Sequence, residues 1–424
     1  MQSLSQADFS SWRLAGRILK TAANNFVERP WGGTRLRDFK GLCSLPDQVE
    51  LTGSGLGESF EISAFDEDPE AAQYPAKVKM PNGAWVSLPR LVRDHAEALL
   101  GEQWVRRYGR CIPMLPKFLN VRELLSVQGH PAGHTEAYVI VDAEPGATIR
   151  IGFRHDIDAR AYCAQLEAGR VEQYELARLL GTAARWHAVQ RLLAAWFADC
   201  DRAPGDVLPT LSELCERSFA GSAASQVAIL LESLRVRYWS VLDAMNEVPL
   251  EAGQVIHNCN PQRIVAARRQ QPGAEVHALG NPEQREFVML EVRRPGPTLR
   301  AWDNVRFPMR DIDVAGALEA FNLGATRPEE FVSSKVPLPE QGHYVSVSSE
   351  QFRIEHVELG AGSTFSLAGD AHCLHALAGA AELETESEVV ALRAGESALV
   401  PRGVGIYTGT AAAEGIHLVK VDLP

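Results

Sequence analysis

The sequence predicts a mainly β protein: two β-barrels, with an all-helical block inserted into the first. Three observations carry this. Short apolar runs bounded by Gly and Pro fill residues 24–154, a 3.6-residue period takes over across 155–250, and the β texture returns after Gly253. At 424 residues the chain has room for about two or three domains.

The first β region holds runs at 137–141 and 148–153, separated by the Pro145-Gly146 pair. Strands this short, divided by turn dipeptides, belong to an antiparallel sandwich or barrel. One helix is expected inside it, over 88–100. In the next region Leu176, Leu179, Leu180, Ala183, Ala184 and His187 recur at i, i+3, i+4 spacing. Ile229, Leu230, Leu234, Trp239 and Leu242 do the same, and Pro204-Gly205 and Gly221-Ser222 mark turns. An excursion from a surface loop costs only loop-closure entropy, so the strands on either side can form one β domain.

The expected division is therefore 1–154 for the first half of one barrel, 155–250 for the helical insertion and 251–306 for the return into that barrel. The return carries strand runs at 263–267 and 286–292. Residues 307–349 read as a Pro-rich linker with a helix at 314–322, and 350–424 as a second barrel. Turns are expected there at Gly360-Ala361-Gly362, Gly379 and Gly395.

Lys and Arg total 42 against 54 Asp and Glu, a formal charge of −12 spread along the chain. That sign disfavours general nucleic-acid binding. No apolar run approaches the roughly 18 residues that span a bilayer, and residues 1–16 lack the apolar core of a signal peptide. The seven cysteines never form C-x-x-C, which suits reduced thiols. A cytoplasmic enzyme without a membrane or nucleic-acid partner is expected.

The most informative string is Ser126-Val127-Gln128-Gly129-His130-Pro131, followed by Glu136. Alternate side chains of a strand share a face, so Gln128 and His130 can both point into a barrel. Glu136 heads the next apolar strand, and His277 lies far off in sequence on a returning one. An amide oxygen, two imidazoles and a carboxylate suit Zn²⁺ or another borderline divalent ion, with positions left open for water or substrate. The bland alternative is a set of ordinary loop polar groups. The bracketing strand signals favour the ligand set.

With these residues the chain resembles the class I mannose-6-phosphate isomerases of the cupin superfamily. The matching pieces are Arg29-Pro30-Trp31-Gly32-Gly33, Gly57-Glu58-Ser59-Phe60-Glu61-Ile62-Ser63, Pro116-Lys117-Phe118-Leu119-Asn120 and Leu125 through Pro131. Further pieces are His134-Thr135-Glu136, Asp142-Ala143-Glu144-Pro145-Gly146-Ala147, Glu275-Val276-His277-Ala278-Leu279-Gly280 and Leu299-Arg300-Ala301-Trp302-Asp303. They run in family order across residues 24–306.

The resemblance implies two cupin-type jelly rolls, and one zinc ion per chain held by Gln128, His130, Glu136 and His277. It implies Lys117 and Arg300 at the sugar phosphate or the reacting oxygens, Glu291 near C1 and C2, and Trp31 and Glu58 lining the pocket. The activity implied is interconversion of mannose 6-phosphate and fructose 6-phosphate by a monomer or homodimer. Moving a proton between C1 and C2 needs a Lewis acid at the oxygens, a base reaching both carbons, and cations for the phosphate. Either Glu291 or a metal-held water could be that base.

Lys117 sits among Leu115, Phe118 and Leu119, where a charge is expensive unless used, and Glu291 follows Val288-Met289-Leu290. Arg293 and Arg294 are available as further cations for the phosphate, but as a strand-end pair they read first as solvated charges. Two departures stand out. Ala274-Glu275 replaces the family's Gly-Thr before Val276-His277, and the segment from Glu291 to Arg300 is one residue shorter than usual. Isomerisation of another sugar phosphate, or an inactive sugar-binding or regulatory cupin, are the alternatives.

In the last region, Gly395 through Gly403 matches the second half of a cupin motif, but Val404-Gly405-Ile406 stands where a ligand His would fall. No metal is expected there, only a packing or dimer role, and His372 and His375 read as partly exposed turn residues. Gly53-Ser54-Gly55-Leu56-Gly57 lacks the Lys and βαβ context of a P-loop. Trp186, Trp196, Phe197, Tyr238 and Trp239 read as helix-core aromatics, and Cys259 as a packed residue.

Overall fold

The computed structural model describes residues 14–22, 25–41, 55–65, 72–80, 83–181, 213, 215–216, 223–260, 273–303 and 309–422. Ala183, Ala184, Trp186, His187, Trp196, Phe197, Cys43, Cys200, the turns at 204–205 and 221–222, residues 53–54 and the strand run at 263–267 lie outside them.

Strands β1 (Leu19–Lys20) and β2 (Phe26–Arg29) precede helix α1 (Arg35–Phe39). Then come β3 (Gly55–Phe60), β4 (Lys77–Lys79), β5 (Trp85–Ser87), α2 (Leu88–Leu100) and α3 (Glu102–Tyr108). β6 (Lys117–Val121), β7 (Val127–Gly129), β8 (Glu136–Ala143) and β9 (Thr148–Phe153) lead into α4 (Ala159–Leu180) and α5 (Ala223–Asp243). The return runs through β10 (Met245–Pro249), β11 (Val255–Asn258), β12 (His277–Ala278), β13 (Phe287–Arg293) and β14 (Leu299–Trp302). After α6 (Val314–Ala320) come β15 (Val332–Ser333), β16 (Val336–Pro337) and β17 (His343–Ser348). The last strands are β18 (Arg353–Leu359), β19 (Thr364–Leu367), β20 (His372–Glu384), β21 (Val389–Arg393), β22 (Ser397–Val400) and β23 (Tyr407–Asp422).

Three large antiparallel sheets stack in layers. A five-stranded sheet, β10-β9-β12-β7-β14, faces a seven-stranded one, β15-β11-β8-β13-β6-β3-β2. Ile149, Ile151 and Val248 of the first meet Leu119, Tyr138, Ile140 and Met289 of the second in a shared core. The outer face of the five-stranded sheet, through Val127, Phe153, Ala301 and Trp302, carries α4 and α5. The opposite face of the seven-stranded sheet, through Phe118, Val139 and Leu290, packs on Ile354, Cys373 and Val419 of a nine-stranded C-terminal sheet.

Local signals explain the helix limits. Pro89 occupies the first turn of α2, and Gly101 stops it at φ 92°. Asp158 caps α4 by accepting from the Arg160 and Ala161 amides, and Gly181 ends it in a left-handed conformation. The stretch expected to be all-helical also holds β10, which pairs with β9 in the five-stranded sheet. The N-terminal β1 pairs with β22 and so belongs to the C-terminal sheet.

Two expectations about that sheet are corrected. Gly379 is not a turn between strands. It lies inside β20 with φ 67°, where the register to β23 slips and the Gly415 carbonyl leaves no room for a Cβ. His372 and His375 are not partly exposed turn residues but fully buried members of β20. The Tyr407 hydroxyl donates to His372 Nε2 at 2.8 Å, and His375 Nδ1 lies 2.8 Å from Ser397 Oγ. Both His372 nitrogens are bonded, Nδ1 to the Asp370 carbonyl, whereas the buried His375 Nε2 has no hydrogen-bond partner among the described residues.

Candidate metal centre

Strand alternation builds the site. In β7 and β12 the neighbours Val127, Val276 and Ala278 face the helices, which turns Gln128 and His277 toward the seven-stranded sheet. His277 pairs with Gln128, and Gln128 pairs on its other side with Arg300. On the facing sheet Glu136 shares the inner face with Tyr138 and Ile140, and Lys117 and Glu291 sit opposite one another. His130 follows β7, just beyond Gly129.

His130 Nε2 lies 2.8 Å from Glu136 Oε1, and His277 Nε2 lies 3.3 Å from Glu136 Oε2. All three side chains are at most 2% exposed. His130 donates through Nδ1 to the Pro297 carbonyl at 3.0 Å, and His277 donates through Nδ1 to the Glu275 carbonyl at 3.0 Å. Both rings turn Nε2 toward one carboxylate: when protonated they pair with it directly, and when neutral they offer two lone pairs beside it that a cation between them would satisfy. The three ligand atoms lie within 4.8 Å of one another.

Gln128 completes the set. Its Nε2 is 3.1 Å from His277 Nε2, and Ser126 Oγ donates to its Oε1 at 2.6 Å. A half-turn of the amide brings the oxygen to the ring, and the Ser126 hydroxyl then accepts instead of donating. The donor set is two imidazoles, a carboxylate and an amide oxygen, and it fits a borderline divalent ion.

Burial pushes the Glu136 carboxyl up, but His130, His277 and Arg293 together hold it well below the usual carboxylate range. Burial also drives His277 toward its neutral, ligating form. Tyr138 donates to Glu136 Oε2 at 2.5 Å, and its phenol is pushed well up by burial and by the Glu136 and Glu291 carboxylates.

Beside this cluster runs a chain of alternating charge. Arg29 Nε donates to Glu58 Oε2 at 2.6 Å, Lys117 Nζ is 3.1 Å from Glu58 Oε1, and Lys117 Nζ is 3.0 Å from Glu291 Oε2. Burial raises the Glu291 carboxyl, with Lys117 opposing the rise. Trp31, Glu58, Lys117, Gln128, His130, Glu136, Glu291 and Arg300 all line one cleft of about 420 Å³. His277 lies behind it, touching Gln128 and Glu136.

The reading of Arg293 as a solvated strand-end charge is corrected: it is 4% exposed, lines the cleft, and its Nε is 3.8 Å from Glu136 Oε1. Its strand register to Glu136 across β13 and β8 explains this. Sequence reasoning also passed over Tyr138, which the i, i+2 rule from Glu136 would have found, and Asn258. Asn258 Nδ2 donates to the Glu275 carbonyl at 3.4 Å behind His277, a non-local contact with no sequence signal. The Glu275 side chain, the first departure from the family pattern, accepts from Asn260 and Asn322 at 2.6 and 3.0 Å.

No family model matches the chain. It is 30% identical over 156 residues to the "Probable mannose-6-phosphate isomerase GmuF" of Bacillus subtilis strain 168, a match over 34% of this chain and 44% of that protein. In fold it is similar to the crystal structure of the mannose 6-phosphate isomerase from Bacillus subtilis, with a TM-score of 0.62 at 16% identity. That likeness covers 96% of this chain and 99% of the other. Over that stretch of sequence, and in fold over nearly its whole length, the chain is similar to mannose-6-phosphate isomerases. A mannose 6-phosphate isomerase crystallised with zinc and yttrium shares the fold at TM-score 0.60 and 17% identity, covering 95% of this chain and 98% of that one. The sequence match therefore spans less than half of the relative's length, while the fold likeness spans nearly all of the chain. No helix among the described residues is long and apolar enough to cross a membrane.

Proposed function

We propose that the chain is a zinc-dependent aldose–ketose isomerase that interconverts mannose 6-phosphate and fructose 6-phosphate through an enediol(ate). One observation carries the reading: His130, Glu136 and Gln128 line the same cleft as the Lys117–Glu291 pair and Arg300. In this reading the two facing sheets form one cupin-type jelly roll, α4 and α5 are its inserted domain, and the C-terminal sheet is a second jelly roll.

Gln128, His130, Glu136 and His277 would hold one Zn²⁺ per chain, which supplies a Lewis acid for negative charge on the sugar's carbonyl oxygen. Glu291 is the base. It takes the proton from C2 of the aldose and returns it to C1 of the ketose, and its burial raises the carboxyl toward a range where it can do both. Lys117 donates hydrogen bonds to the sugar oxygens at these carbons. Flanked by Glu58 and Glu291, its charge is already balanced, so it suits the reacting end better than the phosphate.

Arg300, on the facing sheet, takes the phosphate through its planar fork. Glu58, tied to Arg29, fixes Lys117, and Trp31 supplies a cleft wall. The partner is thus a small sugar phosphate rather than a nucleic acid or membrane, the compartment is the cytoplasm, and the protein works as a monomer or homodimer.

A coupled assay across hexose and pentose phosphates, with zinc-loaded and chelator-treated protein, tests the proposal. Conversion of mannose 6-phosphate that is lost with the metal and restored by Zn²⁺ is expected. Turnover of a different sugar phosphate alone would move the substrate, consistent with the shortened Glu291–Arg300 segment. Activity on none of them would reject the isomerase.

A further inference from the structure

Away from that cleft, a second set of ligand-type side chains converges at the rim of the core between the seven-stranded and C-terminal sheets. His356 and Glu358 are two apart on β18, and His417 of β23 pairs directly with Glu358. One strand face therefore presents all three, the face that also carries Ile354 and Val419 toward the first two sheets.

Their ligand atoms lie within 4.8 Å of one another. His356 Nδ1 is 3.1 Å from His417 Nε2, which is 3.3 Å from Glu358 Oε1. Ligands about 2.0–2.1 Å from a tetrahedral zinc stand roughly 3.4 Å apart, so these three need only a small adjustment to close on an ion. Ser346 Oγ lies 2.7 Å from His356 Nε2, a bond that holds the ring with Nδ1 toward the cluster. A cleft of about 580 Å³, lined by Gly253, Lys335, Glu358, Glu414 and His417, opens over the group and leaves room for water ligands.

We propose that His356, Glu358 and His417 form a second divalent-cation site, for zinc or another borderline transition ion, where the β10–β11 loop meets the C-terminal sheet. The Lys335 ammonium pairs with Glu358. Ion binding displaces it toward the open cleft, so Lys335 sets the affinity. The assignment is independent of the isomerase reading.

Titration calorimetry of the full chain, stripped with chelator and titrated with ZnCl₂ alone, tests it. The wild type is expected to bind two ions. His417→Ala and Glu358→Gln should each bind one, His130→Ala should keep the second-site ion, and Lys335→Ala should bind that ion several-fold more tightly. Loss of all binding in His130→Ala, or an ion count unchanged by both His417→Ala and Glu358→Gln, overturns the site. Circular dichroism of each variant confirms that a lost equivalent is not a lost fold.

Discussion

Replacing Lys117 with Met removes the cation shared by two buried carboxylates. The ammonium lies 3.1 Å from Glu58 and 3.0 Å from Glu291, and the three side chains are 7%, 5% and 6% exposed. Glu58 keeps Arg29, so the loss falls on Glu291, whose carboxyl burial already raises. Breaking a buried pair by removing one partner costs about 3–5 kcal/mol while the survivor stays charged. Protonating Glu291 relieves that cost. In the variant this group's native pKa rises further above its unfolded value of about 4.3, so stability is retained at low pH and lost as pH climbs. Urea unfolding of both proteins at pH 5 and pH 8 measures the effect. A deficit of about 3 kcal/mol or more at pH 8 that shrinks at pH 5 is expected, with kcat/KM down roughly 100-fold or more, about 2.7 kcal/mol of barrier. A deficit under about 1 kcal/mol at pH 8, or one equal at both pH values, refutes the charge-chain argument.

Arg300→Ala should raise KM for the sugar phosphate and cut kcat/KM roughly 10- to 150-fold, the value of a charge-assisted bond of about 1.5–3 kcal/mol; unchanged kinetics would remove it from the phosphate seat. His257, His372 and His375 are held neutral chiefly by burial, with pKa values lowered to about 4, about 3 and about 3. Their contribution to stability is whole above the unfolded value near pH 6.5 and falls by about 1.4 kcal/mol per unit per group below it. Denaturation midpoints should therefore drop steeply from pH 7 to pH 5.5, and a flat profile would contradict the buried placement. Gly169→Ala, which in a free helix stabilises by about 1 kcal/mol, should here cost about 1–3 kcal/mol. Its Cβ would stand 1.9 Å from the Trp302 ring, on the strand that carries Arg300, so the melting temperature and activity should fall together.

What the sequence made legible was local. The Gln128-x-His130 spacing, Glu136 at a strand start and the apolar run before Glu291 each announce which side chain faces inward, because strand alternation operates within a few residues. Helix α2 was visible at its full length because Pro89 and Gly101 punctuate it. What stayed hidden depends on pairing between distant segments. Arg293 reads as a surface charge until β13 is laid against β8 and Glu136 comes opposite. β1 and β22 are separated by most of the chain, and nothing in Leu19-Lys20 announces their pairing. Gly379 has the composition of a turn, yet here its positive φ serves a bulge within one long strand. His372 and His375 read as turn residues because no ligand His stands across the barrel from them, whereas the continuous strand β20 buries both.

Anomalous diffraction at the zinc edge from crystals of zinc-loaded protein tests the central claim most directly. A peak should lie about 2.0–2.2 Å from Nε2 of both His130 and His277, a Glu136 carboxylate oxygen and the Gln128 amide oxygen. Density placing no ion among these four, or an ion bound without His277, would contradict the metal centre and the isomerase chemistry built on it.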